Sequence, residues 1–133
     1  MPEPIDVLFV CVSNRGKSVM AEHLTPTVTD RIAASSAGTS AKIGGQVNSL
    51  SAQVLAEIGA DVAEHQPRQL TDELMRAADL VVVIGTAEVA PPEGVALEVW
   101  NTDEPSERGI ERMRLIRDDI TNRIRSLADR LGR

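Results

Sequence analysis

The sequence predicts a small α/β domain whose strands form a sheet covered by helices on both faces. Three observations carry that expectation. Residues 5–10, apart from Asp6, and 80–84 are short, apolar runs rich in β-branched residues, the pattern of strands buried on both sides in a parallel sheet. Other stretches place apolar residues every three or four positions, the spacing of helices that bury one face. Strands and helices alternate, with two strands before a last long helix. A length of 133 residues fits one domain, 1–133, with a single core.

Each element has a local reason. Residues 5–10 form the first strand. The helix opening near Lys17 meets Pro26, whose ring would clash with the carbonyl of Glu22, so a kink or an end is expected near Thr25. Residues 32–36 read as a second strand, and Ser36-Ala37-Gly38-Thr39 closes it with turn-forming residues. Gly44-Gly45 opens a loop, and Asn48 or Ser49 can cap the next helix. That helix turns Leu50, Val54, Leu55 and Ile58 inward and stops at Gly59. Residues 72–78 make a short helix and residues 80–84 a buried strand. Pro91-Pro92-Glu93-Gly94 is a turn, and residues 96–100 are the last strand. From Glu107 onward, Ile110, Met113, Ile116, Ile120, Ile124, Leu127 and Leu131 mark a long amphipathic helix. Its Arg112, Arg114, Arg117, Arg123 and Arg125 read as a solvated face. His23 and His65 read as structural residues.

Composition excludes several function classes. A formal net charge of −6 without a basic tail argues against general nucleic-acid binding, so any anion site has to be local. Phe9 and Trp100 are the whole aromatic complement, which leaves an aliphatic core. One cysteine excludes an internal disulfide, and two histidines beside it leave no structural zinc cluster, so neither a metal nor a bound cofactor is expected. Met1-Pro2-Glu3-Pro4 lacks the start of a signal peptide, and no apolar run reaches the roughly 20 residues that cross a bilayer. The expectation is a cytoplasmic protein with no membrane partner.

The chemistry concentrates in Cys11-Val12-Ser13-Asn14-Arg15-Gly16-Lys17-Ser18. A strand that turns through a polar loop into a helix N-terminus aims backbone N–H groups and the positive helix end at one point, a ready site for a tetrahedral oxyanion. The same field favours the thiolate, the nucleophilic form of a cysteine placed at the start of the loop. Lys17 adds a positive charge, and Ser18 can donate to the thiolate. Two other readings stand beside this one. A cysteine after an apolar run is often an inert buried residue. Cys11-x4-Gly16-Lys17-Ser18 is also a Walker A phosphate loop with cysteine in place of its first glycine, but the strand 80–84 runs into Gly85 rather than the Asp of a nucleotide-hydrolysing partner motif.

The spacing Cys11-x5-Lys17-Ser18, followed by Met20-Ala21-Glu22 and with Asn14 in register, resembles the loop of the low-molecular-weight protein tyrosine phosphatases and of the arsenate reductases built on their fold. Ser36-Ala37-Gly38-Thr39 matches a run that follows the family's second strand. The resemblance implies a three-layer fold with four parallel strands in the order 2-1-3-4 and the loop at the carboxyl end of the central strand, where ligands of open α/β sheets bind. It implies Cys11 as nucleophile, the amides of Val12, Ser13, Asn14, Arg15, Gly16, Lys17 and Ser18 as the oxyanion cradle, Asn14 as the residue that fixes the loop, and Ser18 as an aid to the thiolate. Lys17 stands where most members carry Arg, a point charge in place of a bidentate clamp. The family places an Asp directly before a Pro as general acid. Here Glu104 holds that register with Asp103 before it, so either could serve, or both are solvated turn residues.

Two departures narrow the reading. Ser106 follows Pro105 where tyrosine phosphatases of this fold carry a Tyr, and the chain contains no Tyr. Thioredoxin-coupled arsenate reductases of the family carry two further cysteines, the first at the position of Gly85. With Cys11 alone, an arseno-thiol adduct has to be taken over by an external thiol. Gly16-Lys17-Ser18 resembles the single-cysteine branch, the arsenate–mycothiol transferases, in which mycothiol is the co-substrate and a glutaredoxin-like protein, mycoredoxin, completes the reduction. A phosphatase acting on phosphotyrosine or phosphoarginine and a non-catalytic oxyanion sensor remain alternatives.

Overall fold

The computed structural model describes residues 3–102 and 109–131. Its elements follow in the order β1 (Ile5–Cys11), α1 (Lys17–Val28), β2 (Ile32–Gly38), α2 (Ser49–Ala56), α3 (Asp72–Ala77), β3 (Leu80–Ile84), β4 (Leu97–Trp100) and α4 (Gly109–Leu131). The four strands form one parallel sheet in the order β2-β1-β3-β4, as the resemblance implied. β1 is central. It pairs with β2 from Ile5↔Ile32 to Cys11↔Gly38 and with β3 from Val7↔Leu80 to Val10↔Val83.

Alternation along the strands divides the core into two layers. Val7, Phe9, Val82, Ile84 and Trp100 face α1, α2 and α4, meeting Met20, Leu24, Leu55, Ile116, Ile120, Ile124 and Leu127. Leu8, Val10, Val81 and Val83 point the other way, against Met75 of α3 and the loop residues Leu70, Val89 and Val95. Each fully buried Leu, Ile or Phe contributes about 1.5–3 kcal/mol, so this two-sided burial is what holds β1, and with it the loop that leaves its end.

The structure corrects three expectations. α1 runs through Pro26 to Val28 instead of breaking near Thr25. Pro26 lies in the last turn, where it forfeits one helical bond, and the threonines beside it bond nearby carbonyls: Thr25 Oγ1 donates to Ala21 O at 2.7 Å and Thr27 Oγ1 to Leu24 O at 2.6 Å. α2, capped by Asn48, ends at Ala56, so Ile58 falls in the turn before left-handed Gly59 and is exposed rather than inward. The arginines of α4 are not simply a solvated face. Arg114 and Arg117 grip Glu57 at the end of α2 at 2.6 and 2.7 Å, and Arg117 also donates to Val54 O. Arg123 donates to Asn101 O at 2.8 Å, tying α4 to the segment after β4.

Hydrogen bonds from Arg114, then from Arg117, hold the Glu57 carboxyl at a pKa of about 2, below the ordinary 4.5. A depressed carboxylate stabilises the fold above its unfolded pKa and loses that contribution as the pH falls through the folded value. Urea unfolding of the native chain and Glu57→Gln should therefore differ most above pH 4.5, and the gap should close between pH 4.5 and 2.

Candidate active site

Cys11 is the last residue of β1, and residues 12–16 carry the chain from there to α1. The loop's carbonyls are engaged by its surroundings. Cys11 O accepts from Thr39 N, Val12 O from Ser40 N, Ser13 O from Lys42 N, Arg15 O from Asn48 N and Gly16 O from Met20 N, at 2.8–3.1 Å. Asn14 O accepts from His65 Nε2 at 3.3 Å. In a trans peptide the N–H points opposite to the C=O, so carbonyls drawn outward turn the following amides toward the concavity.

Asn14 sets the bend. It is fully buried and adopts φ 57°, a left-handed conformation that Asn tolerates better than most residues. Its Nδ2 donates to Ser18 Oγ and to Ser36 Oγ, both at 2.9 Å, and its Oδ1 accepts from Arg68 N at 2.9 Å. Ser18 Oγ, which accepts from Asn14, lies 2.9 Å from the Cys11 sulfur, a pair in which either atom can be the donor. Gly38, at the end of β2, presses on the loop from behind: a Cβ there would lie 2.5 Å from Val12 O and 2.9 Å from Asn14 N.

A cavity of about 360 Å³ opens over the sulfur, lined by Cys11, Val12, Ser13, Gly16, Lys17, Gly85, Thr86, Asn101 and Thr102 among others. Lys17 donates from Nζ to Thr102 Oγ1 at 2.8 Å. Burial, then the charge of Arg112, draws Lys17 below its ordinary pKa of 10.5, while Cys11 and Asp119 oppose that shift. Gly85 has φ 84°, and a Cβ there would meet Lys17 at 3.8–3.9 Å.

The structure thus gathers most of the residues marked in the sequence. Cys11, Val12, Ser13, Gly16 and Lys17 line the cavity, Ser18 adjoins the sulfur, and Asn14 braces the loop. The Arg15 side chain leaves the cavity to donate to Gln46 O. Asp103 and Glu104 lie outside the described residues. Sequence reading missed Ser36, His65, Arg68 and Thr102. Ser36 and Gly38 did carry a signal in the Ser-Ala-Gly-Thr run, and His65 and Arg68 lie in the stretch 59–70, whose glycine, histidine and basic residues resemble a family segment, whereas Thr102 carried none.

This loop on this sheet is what the comparisons with known proteins also find. The family described as low molecular weight phosphotyrosine protein phosphatase matches residues 6–91, and the chain belongs to that family. It is 30% identical over 128 residues to a Halobacterium salinarum protein named "Putative arsenate reductase", across 91% of this chain and 89% of that one. Among solved structures, an arsenate reductase from Archaeoglobus fulgidus superposes with a TM-score of 0.78 at 29% identity, covering 92% of this chain and 98% of the other. A thioredoxin-dependent arsenate reductase from Corynebacterium glutamicum gives 0.77 at 29% identity, covering 98% of this chain and 64% of that one.

Two outcomes are expected of the loop. Asn14→Ala leaves Ser18, Ser36 and the Arg68 amide short of a partner, and each unsatisfied buried group costs about 1–3 kcal/mol. The variant should unfold at lower urea and bind sulfate or phosphate more weakly by calorimetry. In the native protein, phosphate affinity should fall as pH rises through the lowered Lys17 pKa, at a pH below the ordinary 10.5, and Lys17→Gln should flatten that limb.

Proposed function

We propose that the protein reduces arsenate through nucleophilic attack by Cys11, with an external low-molecular-weight thiol completing the transfer. The observation that carries this reading is one thiol, the chain's sole cysteine, set 2.9 Å from a serine hydroxyl at the base of a polar loop that leads into a helix N-terminus. The arsenate-reductase names of full-length relatives support it.

In this reading arsenate seats in the amide cradle of residues 12–18 with Lys17 beside it. The Cys11 thiolate attacks arsenic, an As–S bond forms, and an oxygen leaves as water after protonation by Glu104 or Asp103. Arsenic remains pentavalent. No second cysteine in the chain can displace the adduct. An external thiolate attacks arsenic instead, forming a new As–S bond and returning Cys11 as thiolate. A thiol of the reductant then attacks the sulfur of that arseno-thiol. The As–S bonding pair stays on arsenic, arsenite is released, and a mixed disulfide holds the oxidised sulfurs. Mycothiol as the external thiol and a mycoredoxin-like reductant are the assignments we make, in a cytoplasmic setting for arsenic detoxification. Among the described residues no helix is long and apolar enough to cross a membrane.

A second reading rests on the family itself. Phosphate and arsenate share tetrahedral geometry and charge, so the same loop suits hydrolysis of phosphotyrosine or phosphoarginine through a phosphocysteine. One assay separates the two. Arsenate-dependent thiol consumption is followed with mycothiol plus mycoredoxin, with thioredoxin alone, and beside hydrolysis of an aryl phosphate and of a phosphoarginine peptide. Turnover with mycothiol alone, lost by orders of magnitude in Cys11→Ser, is the expected result. Phosphoester or phosphoarginine hydrolysis without arsenate turnover overturns it. Silence in every arm, with oxyanion binding retained in Cys11→Ser, identifies a sensor.

A further inference from the structure

Behind the loop, on the side away from the Cys11 cavity, the two histidines meet the carboxylate of Glu22. His23 Nε2 lies 3.6 Å from Glu22 Oε2, and His65 Nδ1 lies 4.0 Å from Glu22 Oε1. One ligand atom from each of the three residues falls within 4.8 Å of the others. The rings stand edge to face with centroids 5.7 Å apart.

The proton inventory of this cluster shows what it suits. His65 Nε2 faces the carbonyl oxygen of Asn14, which can only accept, so Nε2 carries the ring proton. Nδ1 faces the Glu22 carboxylate from 4.0 Å, too far for a hydrogen bond between them. His23 Nε2 is buried and has no hydrogen-bond partner among the described residues. Glu22 Oε1 also accepts from Ser36 Oγ at 2.5 Å while its second oxygen faces His23, and ligand atoms of three such residues within 4.8 Å of one another suit a cation.

We propose that Glu22, His23 and His65 form a binding site for a divalent transition-metal ion of the zinc class. Two imidazoles and a carboxylate are a donor set such ions take, with water completing a tetrahedron. Metal–ligand bonds near 2.1 Å put tetrahedral ligands roughly 3.4 Å apart, so the observed separations close by small side-chain rotations. The cluster opens on a solvent-accessible depression of about 340 Å³ whose rim adds Asp61 and Glu64. Three carboxylates against Arg68, which is itself directed to Ser36 O at 3.2 Å, leave that rim net negative. A metal there bridges α1 to the segment carrying His65, and through that imidazole it reaches Asn14, the residue that shapes the oxyanion loop. Its place is structural or regulatory, behind the reacting centre rather than in it. Counting cysteines and histidines in the sequence gave no metal site because Glu22 was not in the count and His65 lies far along the chain.

The test uses the full chain carrying Cys11→Ser, so that no thiolate competes for metal, stripped with a chelator and titrated with cobalt(II) and then zinc(II). The expected result is one equivalent of cobalt with the visible bands of a tetrahedral nitrogen–oxygen site, displacement by zinc, and a zinc-dependent rise in the melting temperature. His23→Gln in the same background should weaken cobalt affinity by at least about tenfold, the loss that removal of even a supporting ligand contact produces. Its metal-free urea midpoint should stay unchanged, since His23 makes no bond to the loop. Failure to bind cobalt or zinc at millimolar concentration overturns the proposal. So does binding that His23→Gln and Glu22→Gln both leave intact, which would place the metal elsewhere on the chain.

Discussion

Everything at the carboxyl end of the sheet depends on Asn14 staying left-handed. That conformation is unfavourable for a side-chain-bearing residue, and here it is imposed by bonds to Ser18, Ser36, the Arg68 amide and His65. Three segments of the chain, α1, β2 and the loop of residues 65–68, therefore meet on one buried residue. The network is costly to leave incomplete, because Asn14, Ser18 and Ser36 are buried where water cannot readily substitute for a lost partner. A thiol at the end of β1 becomes chemically useful only because this amide curls the following residues around it and sends the Ser18 hydroxyl toward its sulfur.

Charge works on two scales. The chain as a whole is acidic, with a formal net charge of −6, and so repels anions at a distance. At contact the balance reverses, since backbone amides, the α1 N-terminus and Lys17 act over a few ångströms. Screening at physiological salt confines the unfavourable far field to about 8 Å. A small, compact oxyanion experiences mostly the cradle, whereas an extended polyanion would also feel the acidic surface.

How much of this was legible in the sequence follows from how far apart the interacting residues lie. β1 and β3 were plain because an apolar run needs no partner to be recognised, and the Cys-x5-Lys-Ser loop was plain because its chemistry is local. The sheet order was reached through the resemblance, which the strand pairing bears out. The supports of the loop were hidden. His65 and Arg68 act on Asn14 across more than 50 positions, and Thr102 meets Lys17 across 85. Local rules also misjudged details that tertiary context decides. Pro26 was expected to kink or end a helix that in fact continues through it to Val28, and the α4 arginines looked solvated until Glu57 was placed beneath them. Glu104 and Asp103, the two acids the sequence offered for proton transfer, lie outside the described residues.

Trp100 closes β4, 4% exposed, with its ring 5.7 Å from that of Phe9. The two residues after it, Asn101 and Thr102, line the Cys11 cavity, and Thr102 holds Lys17. As the chain's single indole, it converts any rearrangement of that rim into a change of emission free of background from other tryptophans. The protein thus carries its own optical gauge of the site, two residues from the lysine's partner, with no label to disturb the chemistry.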